Sequence, residues 1–209
     1  MKMLLSVAAP ALLASTVTAS AASFVLDFTD PTNSQVTNSF GDNGYADLSY
    51  RALAPGPFGN VASNGDLYGW TLGYGDLNGA IWAFNDGSLG EIRIEAQNPL
   101  ETVTIDSFEM GGWNFDENAS WAFFDLAWNL LGSGSGIAPN SGSHLSVTAG
   151  VSSVGGIIFQ WGDDAWDVGV QNFAYSVSGS PVSSVPLPAS GLFLFGGLGA
   201  LALRRRKAA

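Results

Sequence analysis

The 209-residue chain has no cysteine, one histidine and only seven Lys and Arg residues. Without cysteine there are no disulfides, thiolate metal sites, iron–sulfur clusters or thiol nucleophiles, and an exported domain must rely on its core alone. The lone His144 argues against a zinc site. Ser141, Ser143 and Ser146 lie beside it in sequence, but there is no G-x-S-x-G elbow, and chain neighbours do not make a triad. The bases that exist are unevenly placed: Lys2 near the start, Arg204, Arg205, Arg206 and Lys207 at the end, and only Arg51 and Arg93 between. All eighteen acids fall in that middle stretch, which with two bases carries −16. Such a surface repels nucleic acid and anionic lipid, so no nucleic-acid partner is expected. Thirteen of the acids are Asp, whose short side chain bonds nearby backbone in turns, so part of the excess is loop chemistry.

Each end of the chain has its own pattern. After Lys2 come Leu4, Leu5, Val7, Ala8, Ala9, Leu12 and Leu13, then small residues in which Ala19 and Ala21 fit an A-x-A cleavage site. This charge–apolar–small order reads as a signal peptide over 1–21, a substrate for signal peptidase. At the other end, Ser176 to Ser184 is small and polar and reads as a flexible linker over 176–184. Val185-Pro186-Leu187-Pro188-Ala189 follows, then an apolar run over 189–203 and a basic tail over 204–207. As a helix the fifteen residues of the run span roughly 22 Å, against about 30 Å of bilayer core. It crosses only if Leu187 and Pro188 are drawn in or the bilayer thins. Arg204, Arg205, Arg206 and Lys207 would stop transfer and stay cytoplasmic. Pro186 and Pro188 hold the pentapeptide extended, in the form a protease cleft accepts.

The order of motif, short Gly-rich apolar run and terminal Arg cluster over 185–209 resembles the PEP-CTERM class of bacterial sorting signals, in its VPLPA variant. Leu187 stands where the commonest form has Glu. The resemblance implies recognition and cleavage by an integral-membrane exosortase, so that the apolar run is a transient anchor in the cytoplasmic membrane and the body ends at the cell surface or outside. It also implies a cell that makes exopolysaccharide.

Between the ends, Gly, Asn, Asp and Ser recur every eight to twelve residues between aromatic and β-branched runs. That spacing predicts one all-β domain over 22–175, an antiparallel β-sandwich of jelly-roll type. In "FVLDF", Phe24, Leu26 and Phe28 share a face. In "LYGWTLGY", Tyr68, Trp70, Leu72 and Tyr74 align. "AIWAFNDGSLGEIRIEA" reads as a hairpin turning near Asn85-Asp86-Gly87-Ser88, with Ile92 and Ile94 inward and Glu91, Arg93 and Glu95 outward. "GDLYGW" and "GDLNGAIW" echo each other as two similar hairpin edges. Two runs change phase midway: Val103 and Ile105 against Phe108 and Met110, and Val168 and Val170 against Phe173, Tyr175 and Val177. A β-bulge at Asp106-Ser107 and another at Gln171-Asn172 restores the face. "SWAFFDLAWNLL" fits both periods, and its β-rich setting selects strand over helix.

Three chemistries are open to the body. Glu91 and Glu95 lie on one strand face with Cα atoms roughly 13–14 Å apart, wider than the carboxyl spacing of glycoside hydrolases. "EIRIE" faintly resembles the catalytic strand of laminarinase-like β-glucanases, with Arg93 in place of the middle Asp, so no catalytic residue is assigned and an exposed charge ladder is expected. Asp163, Asp164 and Asp167 in "WGDDAWD" offer oxygen ligands for calcium. Many jelly-roll carbohydrate-binding modules hold a calcium between first and last strands, and that resemblance adds Asp27. "DVGVQNF" resembles the final strand of PEP-CTERM-associated sandwich domains, with Gln171 where an acid is frequent. All seven tryptophans are in the body. Most belong to a core, and Trp82, Trp113 and Trp166 are expected to be exposed for stacking on sugar rings. The expectation is a non-enzymatic surface or matrix protein that contacts exopolysaccharide. A calcium-supported carbohydrate-binding module is the alternative, and a glycoside hydrolase using Glu91 and Glu95 the third reading. No cofactor is required beyond that structural calcium.

Overall fold

The computed structural model describes residues 21–29 and 34–179. The expected signal-peptide residues before 21, the sorting motif, the apolar run and the basic tail lie outside the described residues. Those described form twelve strands and no helix.

The strands make two six-stranded antiparallel sheets. The first holds β1 (Ala21–Leu26), β4 (Leu67–Trp70), β5 (Ala80–Ala83), β7 (Thr102–Gly112), β10 (Leu145–Val154) and β12 (Val168–Ser178). Its order is β10-β7-β12-β5-β4, with β1 also paired to β12. The second holds β2 (Ala46–Leu53), β3 (Ser63–Gly65), β6 (Leu89–Ala96), β8 (Glu117–Asp125), β9 (Leu130–Ala138) and β11 (Gly156–Gly162), in the order β3-β2-β6-β11-β8-β9. This is a β-sandwich.

Alternation drives one side chain in two into the space between the sheets. Leu48 and Tyr50 of β2, Ile92 and Ile94 of β6, and Phe159 and Trp161 of β11 meet Ile81, Val103, Ile105 and Phe173 from the other sheet. Phe108 sits among aromatic rings, with centroids 4.7 Å from Phe159, 5.6 Å from Trp121 and 6.0 Å from Phe173. Trp161 is fully buried, and its indole N–H donates to the Val168 carbonyl at 2.9 Å.

Both phase changes are absorbed as the sequence requires. Val103, Ile105, Phe108 and Met110 all reach the core, as do Val168, Val170, Phe173, Tyr175 and Val177. In β12 the register against β7 shifts between Gln171 and Ala174, with Asn172 at φ 47°. Opposite Asp106, β10 shifts between Thr148 and Val151.

Four local expectations are corrected. Residues 80–96 are not a hairpin: β5 and β6 belong to different sheets, and the turn at 85–88 carries the chain between layers. It is tied there by Ala83 N–H to Ala165 O and Ala165 N–H to Ser88 O, at 2.9 and 2.7 Å. The aromatic alignment after Leu67 ends at Trp70, because β4 ends there; Leu72 is exposed and Tyr74 lies in a loop. The strand at 120–131 stops at Asp125, whose carboxylate accepts the Ala127 and Asn129 N–H groups and caps a turn into β9. Lastly, β12 runs through Ser178, three residues into the expected linker, because Ser176, Val177 and Ser178 pair with both β1 and β7.

Candidate functional site: an aromatic-walled cavity

β4 and β5 pair antiparallel, Tyr68 opposite Trp82 and Trp70 opposite Ala80. Leu67, Ile81 and Ala83 face the core. Tyr68, Trp70, Ala80 and Trp82 therefore face outward, and they gather a second apolar cluster on the outer side of the sheet. The loop after β4 folds back over β12 and β7, where Gly169 and Gly111 lie opposite each other. A Cβ on Gly169 would sit 2.7 Å from the Tyr74 ring, and one on Gly111 would sit 2.3 Å from the Tyr74 carbonyl oxygen. Only glycine lets this loop lie flat on the sheet.

Tyr74 is fixed from both ends. Its hydroxyl donates to the Trp166 carbonyl at 2.5 Å, and the next residue, Gly75, donates its N–H to Gly112 O at 3.0 Å. Trp113 follows β7, its N–H donating to Asp167 O at 2.9 Å, and Trp166 is held by its N–H to Asp164 Oδ1 at 2.9 Å. The tryptophan rings meet edge to face, Trp82 on Trp166 at 4.8 Å and 84°, and Trp70 on Trp113 at 5.3 Å and 83°. With Tyr68 and the exposed Phe84 they line an open cavity of about 340 Å³ whose wall is almost wholly aromatic.

Two polar features stand beside this wall. Trp82 Nε1 is the one fully buried side-chain nitrogen or oxygen without a hydrogen-bond partner among the described residues. Leaving such a donor unpaired costs about 1–3 kcal/mol. The second feature is acidic. Burial, then repulsion from Asp86, raises the Asp167 carboxyl above the ordinary range. Asp164 is also raised, first by burial and then by a hydrogen bond with Asp86 and the charge of Asp167, although the Gly87 and Trp166 N–H groups oppose this. Glu117 and the Tyr74 hydroxyl are raised by burial first and by Asp167 and Asp164 second.

The three tryptophans singled out in the sequence, Trp82, Trp113 and Trp166, thus come together in one wall. Trp82 departs from expectation in being buried, at 8% exposure, because Tyr68, Trp70, Phe84 and Trp166 surround it. Tyr68, Trp70, Tyr74 and Phe84 were not legible as site residues. The available signal was the echo of "GDLYGW" in "GDLNGAIW", which are the two edges of the β4–β5 hairpin carrying Tyr68, Trp70 and Trp82.

The four aspartates proposed for calcium do not assemble. Asp163 accepts from Ser120 Oγ at 2.8 Å, and Asp164 and Asp167 are engaged around Trp166 and Trp113. β1 and β12 are adjacent, but Asp27 lines a different crevice, with Asp76, Glu109, His144, Gln171 and Asn172. There His144 Nδ1 lies 2.8 Å from Asp76 Oδ1 and Nε2 lies 3.5 Å from Glu109 Oε1. Among the described residues no three His, Cys, Asp or Glu side chains are placed to hold a metal ion.

Glu91 and Glu95 both line a third crevice, on the outer face of β2 and β6. Glu91 is buried, accepting from Arg51 Nε at 2.5 Å and from Gln160 Nε2 at 2.7 Å. Gln160 in turn clasps the backbone of Gly59 through both its N–H and its carbonyl, each at 2.8 Å. Glu95 pairs with Arg93 at 2.5 Å. Each glutamate thus has its own arginine.

No protein-family model matches the chain, and no curated protein matches it. Solved structures to which it is similar include a Ruminococcus gnavus GH29 fucosidase in complex with fucose, at TM-score 0.31 and 13% identity over 65% of this chain and 25% of that one. An arabinose-bound GH51 α-L-arabinofuranosidase gives TM-score 0.37 and 13% identity over 77% and 32%. The carbohydrate-binding module TmCBM61, in complex with β-1,4-galactotriose, gives TM-score 0.30 and 12% identity over 62% and 83%. The chain spans about a quarter of the fucosidase and a third of the arabinofuranosidase. Likenesses of this size assign no ligand and no activity to the chain.

Proposed function

We propose that this chain is an exported, non-enzymatic protein of the cell surface or exopolysaccharide matrix, and that its aromatic cavity holds a sugar ring of that polysaccharide. The observation that carries the reading is the aromatic wall in which Trp82, Trp113 and Trp166 come together. A pyranose presents a C–H face that stacks on an aromatic ring, and hydroxyl oxygens at its edge that stay free for water or neighbouring polar groups. At about 340 Å³ the cavity falls at the small end of ligand-pocket sizes, suited to one or two sugar units. The acidic loop behind it favours neutral or amine-bearing sugars over uronic acids. The pairing of Glu91 with Arg51 and Gln160, and of Glu95 with Arg93, supports a structural role for both glutamates. The strand succession β5-β12-β7-β10 facing β6-β11-β8-β9 supports a jelly-roll reading of the sandwich.

In this reading the signal peptide directs export, and the VPLPA segment hands the chain to an exosortase, which removes the apolar run and basic tail. Mass spectrometry of the C-terminus recovered from cells tests that step: a terminus upstream of Arg204 supports it, and a full-length product opposes it. Sugar binding is tested by electrophoresis through gels containing the producing cell's own exopolysaccharide. The wild type should be retarded, and Trp82→Phe and Trp113→Ala should run close to the speed seen in gels without polysaccharide. Equal mobility of the wild type in both gels would overturn the reading.

A further inference from the structure

We infer that β9 is a self-complementary edge through which two copies of this chain join their sheets. Among the described residues β9 ends its sheet, paired on one side only, with β8. Natural edge strands are blunted by charge, proline or irregularity. β9 carries no charge and no proline, and its one irregularity is a register shift at Leu131, near its start; between Asp125 and Asp163 the chain carries no Asp, Glu, Lys or Arg, in a body that is otherwise strongly acidic. Along this uncharged stretch, between Asp125 and Glu117 at its two ends, two acidic copies approach with least repulsion.

The strand also reads nearly the same in both directions. Leu-Leu-Gly-Ser-Gly-Ser-Gly-Ile-Ala, residues 130–138, is close to a palindrome about Gly134. An antiparallel pair of such strands, related by a twofold axis at Gly134, sets Leu131 against the partner's Ile137, Gly132 against the partner's Gly136 and Ser133 against the partner's Ser135. These three pairs match in size and polarity, and an isologous dimer demands that self-complementarity. The two faces of the strand are unlike. Gly134 and Gly136 face inward, where a Cβ would meet the Trp121 ring at 2.6 Å and Leu145 at 2.9 Å. Leu131, Ser133, Ser135 and Ile137 face out and are exposed. The pairing therefore covers two exposed apolar residues from each copy and joins two six-stranded sheets into one of twelve. It gives a bivalent particle with two aromatic cavities, whose hold on a repeating polymer exceeds that of one.

Because the chain lacks cysteine, engineered thiols report the register directly. In the proposed pairing, positions 133 and 135 of opposite copies face each other at a Cα distance of about 4.5–5.5 Å, within disulfide reach. Position 133 lies about 8 Å from its own equivalent, beyond that reach. Full-length Ser133→Cys and Ser135→Cys chains, mixed and oxidised, should give several-fold more disulfide-linked dimer than either alone. This readout does not respond to association through the apolar tail. Ser135→Lys, at an exposed position, should keep the wild-type far-ultraviolet circular dichroism spectrum but show the monomer mass by light scattering where the wild type shows twice it. A monomeric wild type, a dimer indifferent to Ser135→Lys, or a mixture that cross-links no better than its components would each overturn the inference.

Discussion

Adding one methyl group at Gly169 tests how the cavity is held. The Gly169→Ala Cβ would lie 2.7 Å from Cγ of Tyr74 and 2.8 Å from Cβ of Ala80. The alanine contact belongs to β5 and cannot turn away, so Tyr74 must lift. Overpacking of this kind costs about 1–3 kcal/mol. Lifting the ring also breaks the bond from the Tyr74 hydroxyl to Trp166 O, worth about 1 kcal/mol net. Replacing glycine returns about 0.5 kcal/mol through the unfolded chain. The balance is a loss of about 1.5–3.5 kcal/mol. For a domain of this size each kcal/mol moves Tm by about 2–4 °C, so thermal unfolding followed by circular dichroism should show a fall of roughly 3–14 °C. Gly44→Ala is the control: nothing lies within 4 Å of its Cβ, and its Tm should not fall. If Gly169→Ala melts together with Gly44→Ala, the account of how the loop docks is wrong.

Two further outcomes follow from the charged groups. The Asp167 carboxyl is raised in the folded protein by burial and by Asp86, so the fold holds that proton more tightly than the unfolded chain does. The stability this contributes is present below the ordinary carboxylate range, near 4, and is lost as pH rises through the raised value. Asp167→Asn should therefore melt above the wild type at pH 7 and level with it near pH 4; a constant difference across this range would contradict the assignment. At the other sheet, Arg51→Ala leaves the buried Glu91 with Gln160 as its remaining side-chain donor. Arg51 is about one-third exposed, so the several kcal/mol of a fully buried pair shrink to about 1–3 kcal/mol, measurable by urea unfolding. Arg51→Met with Glu91→Leu should recover most of that loss, since no charge is then stranded.

What was legible in the sequence was what local geometry dictates. Alternation identified the inward faces of β6, β7 and β12, and the phase slip at Gln171-Asn172 located a bulge, because a strand must keep its apolar face on one side. What was not legible was non-local. The turn at 85–88 carries ordinary hairpin residues, yet it passes between sheets because β5 pairs with β4 and β12 while β6 pairs with β2 and β11. The wall of the cavity draws on four separate segments, and Tyr74 joins it only because Gly111 and Gly169 leave room on the sheet behind it. Asp27 and Asp163 fall apart for the same reason: each directly follows a strand, β1 or β11, whose place is fixed by pairing and not by the charge beside it.

The central claim is that Trp82 and its neighbours hold a sugar ring. It is tested most directly by labelling the tryptophan indoles with 15N and titrating the full chain with neutral trisaccharides: cellotriose, chitotriose and galactotriose. The account predicts that at least one moves the Trp82 Nε1–H resonance saturably, together with those of Trp113 and Trp166, while the core Trp161 resonance stays in place. Indole resonances of Trp82, Trp113 and Trp166 that ignore all three sugars, or that move no more than that of Trp161, would contradict it.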